Sequence, residues 1–304
     1  MISTTVQNNL QKFVPAERIF INEPLKKHTT FQVGGDADCL ISVESTEELK
    51  GLIKYLNVIE IPYLILGNGS NLLVSDDGYR GVVIKTKGSF SDITVEGEVI
   101  TAQAGALMSQ VAKAAYDNGL AGFEFAAGIP GTVGGGVVMN AGAYGGEMAH
   151  VVEWVEVIDK DGEVLVMDNS SMEFAYRKSA IKNNPFVVTR VAFKLKQGDR
   201  EQIKARMDEL ASARREKQPL EFPSAGSTFK RPEGYFAGKL IMDSGFRGYT
   251  VGGAQVSEKH CGFVINRNNA TAKDVSDLMK DVADGVYEKF GVQLEPEVIC
   301  IGRF

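Results

Sequence analysis

The chain has 304 residues, 44% of them hydrophobic and 24% charged, with a net charge of −6 and a pI near 5.3. The acidic balance argues against general nucleic-acid affinity, which needs a basic face, and no apolar run reaches the roughly 18 residues of a membrane span. Three cysteines (Cys39, Cys261, Cys300) show no metal-type spacing, and with only three histidines they point away from zinc chemistry and Ser-His-Asp hydrolysis.

The opening MISTTVQNNLQKF lacks the basic-then-apolar layout of a signal peptide. With an odd thiol count, this leads us to expect a cytoplasmic protein. A chain of this length is expected to divide into two or three domains. Ser45-Thr46-Glu47-Glu48 reads as a capping box, followed by one helical face of Leu49, Leu52, Ile53 and Leu56. Pro62 to Leu66 reads as a buried strand, broken by Gly67-Asn68-Gly69-Ser70-Asn71 and resumed at Gly81 to Ile84. Val99 to Ala104 is a strand, and Ser109 to Asn118 a helix closed by Gly119.

A glycine-rich stretch comes next, GIPGTVGGGVVMNAGAYGG, with eight glycines in nineteen residues and no charge. Glycine weakens regular structure by about 0.5–1 kcal/mol relative to alanine, so such density implies backbone that must be approached closely. Bare backbone amides can also cradle an anion. The interleaved Ile129, Val133, Val137, Val138 and Met139 require burial, which a mobile linker does not. Val152 to Ile158 and Glu163 to Met167 form a hairpin around Asp161-Gly162, and Phe186 to Leu195 alternates as a further strand. Arg200 to Lys217 is helical with Ile203, Met207 and Leu210 inward. A Pro/Gly/Ser-rich passage follows, Pro219 to Gly234. Thr271 to Phe290 is the last long helix, its apolar face running from Val275 to Phe290 and its end marked by Gly291, before a closing strand at Val298 to Ile301. Strands and helices are interspersed without regular β–α alternation, and no GxGxxG follows the first strand, which disfavours a Rossmann domain.

Four segments could carry chemistry. Leu66 to Leu73 offers backbone and side-chain donors suited to a pyrophosphate, although Asn-Gly also makes ordinary turns. With the glycine-rich stretch about sixty residues further on, a shared phosphate-bearing cofactor is the better account. Tyr176-Arg177-Lys178-Ser179 is weak alone. In Pro223 to Pro232, Ser227 precedes Lys230 and Arg231 with no histidine nearby to activate it. Such a hydroxyl is better read as a hydrogen-bond or proton donor. Leu294-Glu295-Pro296-Glu297-Val298 reads in most chains as a solvated strand end.

Taken together these segments resemble the UDP-N-acetylenolpyruvoylglucosamine reductase family, from about Leu25 to Gly302. The resemblance is carried by Thr29-Thr30-Phe31 with Gly34-Gly35, by LGNGSNLLVSD (66–76) and by GFEFAAGIPGTVGGGVVMNAGAYGGE (122–147). YRKS (176–179), PSAGSTFKRP (223–232), AGKLIMDSGFRG (237–248) and LEPEV (294–298) complete it. It implies an α+β architecture: a two-subdomain FAD-binding fold of the vanillyl-alcohol-oxidase type, plus a third α+β substrate-binding domain. The implied boundaries are 1–87 for the first FAD-binding subdomain, with 294–304 returning to it, then 88–205 for the second and 206–293 for the substrate domain.

The resemblance also implies non-covalent FAD and NADPH as hydride donor. The implied substrate is UDP-N-acetylglucosamine enolpyruvate, reduced by a monomer with no nucleic-acid or membrane partner. Leu66, Gly67, Asn68, Gly69, Ser70 and Asn71 would wrap the FAD together with Gly128, Ile129, Pro130, Gly131, Thr132, Gly134, Gly135, Asn140, Ala141 and Gly142. Ser227 would protonate C2, and Arg177 and Glu297 would stabilise the intermediate. Glu297 is chosen over Glu295 because the family's glutamate directly precedes valine. Tyr176, Lys230 and Arg231 would meet the substrate. Arg215 and Lys217 could meet its diphosphate, or form a solvated helix end. Gly136 stands where the family often has alanine, and Arg231 where some members have asparagine. The chain matches the compact subgroup without the extra tyrosine loop. Two other readings remain open at this point: an oxidase of small alcohols or lactones on the same scaffold, and a non-catalytic nucleotide-sugar binder.

Overall fold

A computed structural model describes residues 2–86 and 88–304. The boundary expected at 87/88 falls on Lys87, which, like Met1, lies outside the described residues. The chain divides into two compact units. The first comprises Met1–Phe20, Cys39–Asn68 and Gly81–Arg214; the second comprises Ile21–Asp38, Gly69–Arg80 and Arg215–Phe304. The composition of elements is α+β throughout.

In the first unit a five-stranded antiparallel sheet runs Val164–Asp168, Val152–Ile158, Val187–Lys194, Val99–Gln103, Ile93–Glu96. Asp161-Gly162 makes the expected hairpin, with Gly162 at φ +82°. Val187–Lys194 departs from the expected alternation: Val187, Val188 and Thr189, then Val191, Ala192 and Phe193, are all buried. It is the central strand, covered on both faces, so period-2 patterning has no solvent side to report. Tyr63–Leu66 pairs in parallel with the segment from Val82 to Lys85. Only its Leu66 is buried, so the strand is half-buried rather than fully so.

Helix Thr46–Val58 buries Leu49, Leu52, Ile53 and Leu56 completely. Each such side chain contributes about 1.5–3 kcal/mol of hydrophobic stabilisation, and truncating Leu52 to alanine is expected to cost about 2–5 kcal/mol. The capping box is half-formed. Ser45 Oγ accepts from the Glu48 amide at 3.1 Å, but the Glu48 carboxylate accepts from the Glu44 amide and from Arg18 instead of closing on Ser45. The long helix Arg200–Lys217 buries Ile203 and Leu210, and its Met207 packs against the core that holds Leu49 and Leu52.

The second unit holds a three-stranded antiparallel sheet (Thr250–Val251, Ala254–Val256, Val264–Asn266). Helices Ala237–Asp243 and Ala272–Phe290 pack on its core. The second of these is capped reciprocally by Thr271 and Asp274 and ends on Gly291 at φ +66°. Its apolar face is buried from Val275 to Val286, whereas Phe290, expected inward, is 38% exposed in the last turn. Ile299–Ile301 pairs in parallel with Leu72–Val74, so the closing strand joins the strand that follows the Gly67–Asn71 turn.

Candidate active site

In the first unit the two glycine-rich segments meet. Asn68 Nδ2 donates to the Pro130 carbonyl at 2.7 Å. A Cβ on Gly67 would come within 2.4 Å of Thr132 Oγ1. Thr132 is the buried N-cap of the short helix Val133–Val138, its Oγ1 accepting from the Gly135 amide. Gly67 is therefore bare because a helix cap is seated against it.

The glycines of that helix have different tasks. Gly134 is buried and its amide donates to Ala104 O at 2.9 Å, while Val133 donates to Ala106 O at 2.8 Å. The first amides of this helix are thus engaged within the protein, not turned toward an anion. Gly136 is buried against Met148 and Met108, which a Cβ would strike. Gly128 and Gly135 are exposed. Among the described residues, the amides of Asn68, Gly69 and Ser70 make no backbone hydrogen bond within the chain.

Two asparagines expected to touch the cofactor are engaged elsewhere. Asn140, 1% exposed and at φ +42°, accepts from the Ala149 amide and donates to the Ala175 carbonyl at 3.1 Å. Asn71 Nδ2 donates to the Glu297 carbonyl at 3.2 Å. Each fixes a segment that bears an expected catalytic residue.

Arg177 lies in a tight two-residue turn closed by reciprocal backbone bonds between Ala175 and Lys178. Asn140 holds the turn on one side. On the other, the buried Ser179 donates to the Val138 carbonyl at 3.0 Å. Arg177 itself is at φ +54°, with its guanidinium 5.3 Å from the centre of the exposed Tyr176 ring. A left-handed conformation at a non-glycine residue is a strain that persists only where surroundings impose it.

None of the four segments points to Arg214. Burial pushes its guanidinium below its ordinary range, Tyr144 opposing the shift with a hydrogen bond. Its Nε is buried with no hydrogen-bond partner among the described residues, and a Cβ on Gly128 would lie 2.9 Å from Nη1. One signal was available: Ile203, Met207, Leu210 and Arg214 share a helical face at spacings of four, three and four. An arginine on an apolar face is informative.

In the second unit, Ser227 is exposed beside Gly226, which is at φ +77° with open space around it. The next residue, Thr228, is 1% exposed and bonded on three sides. Its amide donates to Gly262 O (2.9 Å), its hydroxyl accepts from the Val264 amide (2.8 Å) and its carbonyl accepts from the Glu297 amide (2.8 Å). Phe229 pairs with Pro296, so the segment that follows Ser227 runs antiparallel to the one that bears Glu297. Lys230 and Glu295, one on each side, form an ion pair at 2.8 Å that holds the Glu295 carboxyl below its usual range. Glu295 is thereby accounted for. Arg231 donates from Nε to Tyr235 O and stacks 4.0 Å from the centre of the Phe236 ring. Arg215 and Lys217 are exposed; the Arg215 carbonyl accepts from Lys259 Nζ.

Among the described residues no cluster of His, Cys, Asp or Glu could hold a metal, and no helix is long and apolar enough to cross a membrane. The fold and the paired glycine segments define an FAD-binding flavoprotein: residues 37–168 match the FAD binding domain family, and residues 218–301 match the C-terminal domain family of UDP-N-acetylenolpyruvoylglucosamine reductase. The chain belongs to the UDP-N-acetylenolpyruvoylglucosamine reductase family. It is 52% identical to the reductase of Caldanaerobacter subterraneus subsp. tengcongensis over 97% of this chain and 98% of the relative. The solved reductase of Thermus caldophilus superposes with a TM-score of 0.81 at 41% identity, covering 93% of this chain and 98% of that one. At 14% identity and a TM-score of 0.51, an alkyldihydroxyacetonephosphate synthase structure covers 65% of this chain and 41% of its own, a likeness of fold alone.

Proposed function

We infer that the chain reduces UDP-N-acetylglucosamine enolpyruvate to UDP-N-acetylmuramate, a peptidoglycan precursor, with non-covalent FAD as cofactor and NADPH as reductant. The observation that supports this reading beyond family membership is the backbone bridge that holds the residue after Ser227 against Glu297, with Thr228 O accepting from the Glu297 amide. When bound, FAD would supply the hydride added to C3 of the enolpyruvyl double bond. Negative charge then develops on C2 and its carboxylate. Arg177, preorganised by its turn, stabilises that charge, an effect of several kcal/mol in a water-poor site. Ser227 gives its hydroxyl proton to C2, and the carbanion-like acceptor is what makes a weak acid effective. Glu297 holds the intermediate through a proton or a bridging water.

The residues present fit the cofactor. The exposed Gly128 and Gly135, the Asn68–Ser70 amides and the half-buried Arg214, with its unpaired Nε, offer bare backbone and a cation. Leu66, Gly67, Ile129, Pro130, Gly131, Thr132, Ala141 and Gly142 shape these segments. Tyr176, Arg231, Arg215, Lys217 and Lys230 are proposed to meet the UDP-sugar. The reading includes the three-part division at 1–87, 88–205 and 206–293, and a cytoplasmic monomer acting without nucleic acid or membrane.

The test is anaerobic titration of the NADPH-reduced protein with the enolpyruvyl substrate. Flavin absorbance should return with one equivalent. A colourless protein that FAD cannot reconstitute, or reduced flavin that the substrate leaves unchanged, would overturn the reading.

A further inference from the structure

We infer that His260 is a positioning residue for Ser227, acting through Gly262 and Thr228. The inference rests on the reading of Ser227 as proton donor. The segment Ser257 to Phe263 is a closed loop: Ser257 N donates to Phe263 O, and Ser257 Oγ accepts from the amides of Lys259 and His260 at 3.2 Å each. Inside it, the Gly262 amide donates to His260 Nδ1 at 3.0 Å. The Gly262 carbonyl in turn accepts from the Thr228 amide at 2.9 Å. A single residue, Gly262, thus lies between the imidazole and the residue adjoining Ser227, its amide bonded to one and its carbonyl to the other.

The ring has little room to swing. A Cβ on Gly262 would lie 2.8 Å from His260 Cε1 and one on Gly238 would lie 3.3 Å from it, so two bare backbones flank the imidazole. Phe263 meets it edge-on, ring centres 5.0 Å apart. Accepting at Nδ1 requires the neutral tautomer with hydrogen on Nε2. Burial favours that neutral form by pushing the imidazole below its ordinary range. Thr228 is almost wholly buried, so a shift of its amide moves with it the backbone that aims the exposed Ser227 hydroxyl. A proton donor displaced by about 1 Å loses up to about 100-fold in rate.

The experiment follows the two half-reactions of the FAD-loaded enzyme by stopped flow. His260→Leu removes the acceptor, and His260→Asn keeps one near Nδ1. His260→Leu should slow flavin reoxidation by the enolpyruvyl substrate about 10- to 100-fold while NADPH reduces the flavin at the parental rate, and His260→Asn should restore reoxidation. In the Ser227→Ala background, His260→Leu should slow reoxidation no further. Equal slowing of both half-reactions, no rescue by asparagine, or an undiminished effect without Ser227 would each overturn the inference. If Ser227→Ala alone reoxidises at the parental rate, the reading of Ser227 falls and the inference with it. If Ser227→Ala is slow and His260→Leu is not, the inference alone falls. Should His260→Leu not fold, His260→Gln, whose acceptor lies near Nε2, serves in its place: slowing relative to asparagine supports the inference, and parity with it overturns it.

Discussion

Asp76 ends the LGNGSNLLVSD motif, yet its carboxylate serves a helix that begins 196 residues later. Oδ1 accepts from the Ala272 amide at 2.8 Å and Oδ2 from the Lys273 amide at 2.9 Å. With Thr271 Oγ1 accepting from Asp274, the first three amides of helix Ala272–Phe290 all have side-chain partners. Asp76→Ala removes two of them. Ala272 is fully buried, so its amide is left without water, a penalty of about 1–3 kcal/mol. The Lys273 amide is exposed and can turn to solvent, which costs about 0.5–1 kcal/mol. Loss of a negative charge at the helix N-terminus adds about 0.3–1 kcal/mol. The sum is about 2–5 kcal/mol, measured as a lower urea midpoint with an unchanged m-value. Asp76→Asn retains one acceptor and should recover about half of the loss. A midpoint for Asp76→Ala within about 0.5 kcal/mol of the parent, the usual range for surface substitutions, would refute the reasoning. So would an Asn variant no better than Ala.

Gly135 is exposed in a helix, and a Cβ there would meet only Thr132 Oγ1 at 3.5 Å. Gly135→Ala should therefore stabilise the apoprotein by about 0.5–1 kcal/mol while weakening FAD at least tenfold by fluorescence titration; unchanged FAD affinity would remove Gly135 from the cofactor set. Arg177→Gly relieves a positive φ that costs an ordinary residue about 1–2 kcal/mol. Its urea midpoint should hold or rise while turnover falls at least about 100-fold through the lost cation; a parallel loss of stability and turnover would mean that the turn is structural only. His260 is held below the ordinary histidine value of 6.5 by burial. As pH falls through that value the unfolded chain takes up a proton before the folded one, so stability is complete above it and declines below. His260→Asn should flatten the urea-midpoint profile between about pH 7 and pH 5, and superimposable profiles would contradict the assignment.

Local chemistry made much of the fold legible. Leu49, Leu52, Ile53 and Leu56 recur at helical spacing because one face is buried, and Asp161-Gly162 and Gly291 mark backbone that only a turn or a helix end requires. What failed to show depends on partners distant in sequence. Nothing near Val187–Lys194 reveals that both of its faces are covered. Glu48 sits in the capping-box position, but Arg18, thirty residues away, competes for its carboxylate. The site followed the same division. For the proposed site, the motifs point to Ser227, Arg177 and Glu297, while Thr228 and Gly262, which hold the backbone beside the serine, carry no local signal because their value lies in hydrogen bonds to Val264, Glu297 and His260.

The glycine-rich segments do more than leave space for a cofactor. One asparagine within each turns back toward a catalytic segment: Asn71 supports the Glu297 carbonyl, and Asn140 supports the Arg177 turn. Cofactor segment and catalytic backbone are thus coupled by side-chain amides, and that coupling can be separated experimentally from FAD binding. Asn140 is 1% exposed, and Asn140→Ala strands both the Ala149 amide and the Ala175 carbonyl. Each unsatisfied group costs about 1–3 kcal/mol, and the Ala175 end loosens the strained turn that presents Arg177. FAD affinity should change less than threefold, because Asn140 donates to protein rather than to the cofactor. Reoxidation by the enolpyruvyl substrate should slow by about 10- to 100-fold, the range for a displaced stabilising cation. Were FAD binding lost in proportion to the rate, Asn140 would belong to the cofactor after all, and the two asparagines and the exposed glycines would not divide the labour in this way.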